Sequence, residues 1–396
     1  MAQDNTQHNR GRSSKKRSSA ALHMVIFIVI GFILGIFLGG ALGSFIPDGT
    51  SPGITLIYFG LAFLAIVAAC MLQAAIHEAG HLVCGLISGY GFVSYRIGSL
   101  MFLKKDGRIS LKRYALPGTG GQCLMAPPEP YTEKTPFVLY NLGGSLANLI
   151  KAGVFGALYF IPGIPYVLRM LFLIFCLVGI ALALLNGIPM HTKQVDNDGR
   201  NVLELKKNRT ARMCFLAQMK ANALQSAGIR LKDMPDEVVF LPDRAEWGNS
   251  LCASSAVCVM SRHIDAMRFS EAQALGEDLL AHADGMPGIY RQLTTLEVLF
   301  CELVNEKRPE RIEELMSKEF QQFLKAAGAL FNVPRFWYAY ELLYHGDREA
   351  ADRYRQRFEK TAQNYPYSGE IEGERELYDY VDTIYEERQK AAEAAE

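Results

Sequence analysis

Residues 77 to 81 read His, Glu, Ala, Gly, His, an H-E-x-x-H pattern. On a helix, His77 and His81 lie four residues apart on one face, so both imidazoles can reach one tetrahedral metal ion, with Glu78 standing beside it as a proton acceptor. The chemistry this set serves is hydrolysis. Zinc held there lowers the pKa of its water from about 16 towards 7 and polarises a carbonyl, while Glu78 takes the water proton and passes it to the leaving group. Three ionisable residues within five, at the end of an apolar run, are costly unless paired or bound to metal. A buried His and Glu network without metal is the bland alternative.

Zinc of this kind needs a third protein ligand and leaves its fourth position for water. A candidate segment is Asn186, Gly187, Ile188, Pro189, Met190, followed by Asn197, Asp198 and Gly199. Read alone, a proline ending an apolar helix and a later Asp-Gly are a helix stop and a turn. Asp196 and His191 lie in the same interval and are rival ligands.

The elements that must position these residues divide the chain in two. Within its 396 residues, long uncharged apolar runs fill the first half, and mixed charge with helical periodicity fills the second. Four runs reach the roughly 20 apolar residues that a membrane-crossing helix needs: about Ala21 to Ile46, Ile54 to Ile76, Phe137 to Ile161 and Tyr166 to Pro189. The first follows a basic stretch and has a signal peptide as its alternative, although it is longer than the usual apolar region of roughly 7 to 15 residues. The sequence therefore predicts a mainly α fold. Residues 1–20 form a basic tail, 21–205 a polytopic membrane helical bundle of about four spans with a small β-hairpin insertion, and 206–396 a soluble all-α domain.

Lys and Arg set the orientation. The tail is basic, the connection from Asp48 to Gly53 has no Lys or Arg, the segment from Tyr95 to Lys134 has seven, and the turn around Pro162 has none. Both termini are expected in the cytoplasm of a cell whose membrane the chain crosses, most readily a bacterial one. Lys plus Arg and Asp plus Glu number 41 each, so net charge points to no nucleic-acid partner, and the basic tail is explained by topology. The eight cysteines include no C-x-x-C pair and read as reduced, small apolar residues.

H-E-x-x-H at the end of one span, with N-x-x-P and a later D-G at the end of the next but one, resembles the site-2 protease family of intramembrane zinc metalloproteases. The resemblance covers about Ile54 to Leu203. It implies that Asp198 completes a zinc site with His77 and His81, and that Glu78 is the general base. The run Gly143, Gly144, Ser145, Leu146, Ala147, Asn148 matches the family's small-residue stretch with asparagine. It implies an Asn148 amide donating to the developing oxyanion, where helix packing is the alternative. Two departures stand out: Pro189 and Asp198 are farther apart than is common in the family, and Ser145 stands where proline is usual.

Between the second and third expected spans, Tyr95 to Leu116 alternates around Lys105, Asp106 and Gly107 as a hairpin would. The run from Pro117 to Leu124 that follows is extended, either a connector or an edge on which an unfolded substrate adds as a strand. Beyond Leu203, helix starts near Ser270, Pro309 and Asp347 are spaced like helix-hairpin repeats, and Phe336, Trp337, Tyr338 and Tyr340 read as packing between helices. The acidic end reads as a frayed, solvated helix. The function expected is a zinc endopeptidase acting on membrane-associated proteins or peptides in or beside the lipid bilayer, with a protein regulator on the helical domain. The alternative is an inactive, membrane-anchored scaffold whose helical domain binds partners.

Overall fold

The computed structural model describes residues 35, 36, 39, 40, 43, 46, 49–105, 107–115, 120–190, 196–328 and 330–394. Most of the expected first span, His191 and the Pro117–Thr119 stretch lie outside the described residues. The fold is mainly helical with one small antiparallel sheet. It divides into two compact units: Met1–Ser88 with Pro136–Lys206, and Gly89–Thr135 with Lys207–Glu396.

The first unit is built on three long helices, α1 (Pro52–Ile87), α2 (Val138–Tyr159) and α3 (Tyr166–Gly187), which pack on one another, and on a short α4 (Asp198–Lys207). Pro52 opens α1 at its first position, where a missing N–H costs nothing. No proline follows before Ser88, so α1 runs through the H-E-x-x-H turn rather than ending at Ile76 as its hydropathy suggests. Its 36 residues make it about 54 Å long at 1.5 Å per residue. Gly80 sits mid-helix because α2 crosses there: a Cβ on Gly80 would overlap the Gly143 carbonyl. Such contact between small residues is how apolar helices approach closely.

Among the described residues, two helices, α1 and α3, are long and apolar enough to cross a membrane. The outward faces are apolar: Leu56, Ile57, Phe63, Leu64 and Met71 on α1, and Leu149, Ile150 and Val154 on α2, are exposed. Small residues face inward, with Ala62, Ala65, Ala69, Gly143, Gly144 and Ala152 buried.

The second unit opens with the sheet: β1 (Gly91–Ile97), β2 (Leu100–Lys105), β3 (Arg108–Arg113) and β4 (Gly121–Ala126), in the order β3-β2-β1-β4 and antiparallel throughout. The expected hairpin is β2–β3, turning with Gly107 at φ +75. It is half of a larger sheet, however, because Gly98 at φ +56 turns β1 into β2 and β4 returns to pair with β1. Helices α5 (Arg209–Ser226), α6 (Ser250–Asp265), α7 (Phe269–His282), α8 (Gly288–Val304), α9 (Pro309–Leu315), α10 (Lys318–Ala326), α11 (Asn332–Ala339), α12 (Arg348–Ala362) and α13 (Ser368–Glu393) complete the unit. One core joins α6 to α13, with Phe300, Phe336, Tyr338, Phe358 and Tyr378 fully buried.

Candidate metal centre

His77 and His81 project from one face of α1 with ring centroids 4.7 Å apart. Asp198, the first residue of α4, brings Oδ2 to 3.1 Å from His77 Nε2 and 3.4 Å from His81 Nε2, and the two Nε2 atoms lie 3.1 Å apart. These ligand atoms all fall within 4.8 Å of one another and form a group able to hold a metal ion.

Asp198 is delivered by its neighbour. Asn197 Oδ1 accepts from the Met190 N–H (3.0 Å) and the Arg200 N–H (3.0 Å), while its Nδ2 donates to the Leu185 and Ile188 carbonyls (2.7 Å each). One side chain thus satisfies the open carbonyls at the end of α3, braces Met190 and caps the start of α4. The glycine of the D-G pair is required by approach: a Cβ on Gly199 would run into the Gly187 carbonyl. Gly144 has the same kind of duty, since a Cβ there would lie 2.5 Å from His77 Nδ1 and 2.6 Å from Nε2.

The tautomers follow from the hydrogen bonds. The Nδ1 of His81 meets the Tyr140 carbonyl at 2.8 Å, so the proton of the neutral ring sits on Nδ1 and Nε2 turns a lone pair towards Asp198. Asp198 Oδ2 is buried and has no hydrogen-bond partner. Lone pairs converging on one point, braced from behind, call for a cation at their centre. Two imidazoles and a carboxylate make a three-ligand set of the kind that holds a metal ion and leaves a position open.

Asn148 is fully buried, with Nδ2 3.5 Å from His77 Nδ1 and Oδ1 without a partner. It therefore stands behind the His77 ring, at the nitrogen turned away from Asp198, and not where an oxyanion donor was expected. Amide oxygen and nitrogen are assigned from the network. Exchanging them sets Oδ1 to accept from an Nδ1–H of His77. Glu78 is half-buried on the same turn of α1 and acts electrostatically on His81. Asp196 is not among the converging residues. The support from Asn197 and the Tyr140 carbonyl was missed in the sequence; Asn197 had a signal in its place directly before Asp-Gly, whereas a backbone carbonyl leaves none.

No family model, curated protein or solved structure matches the chain.

Proposed function

We propose that this chain is a multi-pass membrane zinc endopeptidase of the site-2 protease type, hydrolysing membrane-associated proteins or peptides. The observation that carries the reading is the meeting of His77 Nε2, His81 Nε2 and Asp198 Oδ2 beside Glu78, on helices whose outward faces are apolar. His77, His81 and Asp198 would hold the metal. When bound, zinc supplies a Lewis acid that acidifies water and polarises the scissile carbonyl. Glu78, attached to the same turn as both histidines, takes the proton of the attacking water on its carboxylate and returns it to the leaving amine. Asn148 keeps His77 in the tautomer whose Nε2 faces Asp198, and the Tyr140 carbonyl does the same for His81.

In this reading α2 crosses the bilayer with α1 and α3, a further span precedes Pro52, and both termini lie in the cytoplasm. The exposed apolar side chains of α2 and its single charged residue, Lys151, support that placement. β4 lies at the edge of the sheet, where an extended substrate would add as a strand, and the helical unit selects substrates or receives a regulator.

The test uses full-length protein in detergent, with zinc content and cleavage of an unstructured, membrane-anchored peptide measured on the same samples. Wild type is expected to bind one zinc and cleave. Glu78→Gln should retain zinc and lose cleavage, because an amide cannot accept the proton. Equal cleavage by the two proteins would defeat the protease reading, and zinc without cleavage in wild type on any peptide would favour the scaffold.

A further inference from the structure

The second unit encloses a cavity of about 310 Å³ between α6, α8, α11 and α13. Its charged lining is unbalanced: Asp265, Glu297, Glu370 and Glu374 face it with only Arg230 and Arg335 as cations. Both guanidinium groups are already engaged. Arg230 donates to Asp265 (2.7 and 3.0 Å) and to Glu376. Arg335, its side chain 3% exposed, donates to Glu297 and, at 2.7 Å, to Glu374 Oε1.

Two carboxylates on successive turns of α13 are left underused. Glu370 accepts only from neutral donors, the Tyr365 hydroxyl and, at 3.1 Å, Gln225 Nε2. Glu374 Oε2 is buried with no partner, as is Arg335 Nε. Burial raises both carboxyls to about 7, and their like-charged neighbours add to the rise. Glu370, unlike Glu374, has no cation beside it, a costly state for a buried carboxylate, and a ligand that brings one recovers that cost. Ile229, Leu293, Leu330 and Phe331 supply apolar walls.

We infer that this cavity binds the basic side chain, arginine or lysine, of a polypeptide partner, its cationic head between Glu370 and Glu374 and its methylene stem against the apolar walls. The 39% exposure of Ile229 places one wall at the surface, so a side chain can enter while the rest of its polypeptide stays outside. The inference is independent of the metal centre.

The experiment is calorimetric titration of the full-length protein in detergent at pH 7.5. Probes are acetyl-Gly-Arg-Gly-amide, the same peptide with citrulline, an uncharged near-isostere, and agmatine as a free amine. The arginine peptide is expected to bind at least tenfold more tightly than the citrulline peptide. Glu370→Gln and the cavity-filling Ile229→Trp should each weaken it at least tenfold, with unchanged circular dichroism showing that both fold. Absence of binding, equal binding of the two peptides, or undiminished binding by both folded variants would overturn the inference. Agmatine binding as tightly as the peptide would overturn the polypeptide source and assign the site to free amines.

Discussion

At the scale of single residues, the position of Asn148 beside His77 Nδ1 offers a role that the sequence reading, oxyanion donor or helix packing, did not include. An oxyanion donor needs an N–H aimed at the reacting carbonyl, whereas a brace for His77 needs only an acceptor at Nδ1. Aspartate offers acceptors and no donor, so Asn148→Asp should keep zinc affinity close to wild type. Asn148→Ala should lose about 10- to 100-fold, the usual cost of removing a partner of a metal-bound histidine. Competition with a chromophoric chelator measures both, and an Asn148→Asp protein that binds zinc as poorly as Asn148→Ala would contradict the brace. In the helical unit, Glu370 makes a pH-dependent prediction. Its folded carboxyl sits at about 7, above the ordinary 4.5, so between those values the folded state holds the extra proton and its contribution to stability falls as pH rises. Glu370→Gln removes that dependence. The melting temperature of the variant relative to wild type should therefore be more favourable at pH 8 than at pH 5; a constant difference would argue against a raised carboxyl.

At the scale of elements, the metal ligands depend on glycines that bear no chemistry. The crossing of α1 and α2 leaves no room for a methyl group at Gly144 without moving the His77 ring. Gly144→Ala should therefore cut zinc binding by at least tenfold while far-ultraviolet circular dichroism stays unchanged. Asn197→Ala should also weaken zinc, through a looser Asp198, although Asn197 touches no metal. Retention of full affinity by both variants would mean that the ligands are held by something other than these contacts. Here the sequence was partly legible. His77 and His81 declare themselves by the helical repeat, because two ligands one turn apart on one face is a local property. Asp198 did not: three candidates shared its interval, and the preference came from family resemblance rather than spacing. What singles out Asp198 is the four-bond bracket of Asn197 and the fit of Gly199 under the Gly187 carbonyl, contacts across a loop that periodicity does not encode. The extension of α1 to Ile87 was hidden for a related reason, since hydropathy marks where apolar residues stop and not where a helix does.

At the scale of the molecule, the sheet does not group with the helices that flank it in sequence. It interrupts the first unit between Ser88 and Pro136, yet it belongs with residues 207–396, and α5 packs against β4 and β2. The sequence suggested an insertion in the membrane domain because β-strand alternation is local, whereas the helix that covers the sheet begins more than 80 residues after β4 ends. The consequence concerns what a truncated chain can do. The proposed zinc ligands and general base all precede Gly199, so a protein ending at Lys206 retains every group proposed for the metal centre and should still bind one zinc. It lacks α5, however, and the sheet would then lose cover over side chains that are now buried, among them Met101, Leu103, Cys123 and Met125. Exposed apolar strands with open edges are prone to pairing and attack. Limited proteolysis followed by mass spectrometry should find cleavage concentrated between residues 89 and 135 in the truncated protein and spare that segment in the full chain. Zinc measured on the same sample separates this outcome from general unfolding. A truncated protein that keeps its metal and protects residues 89–135 as well as the full chain does would show that the sheet stands without α5.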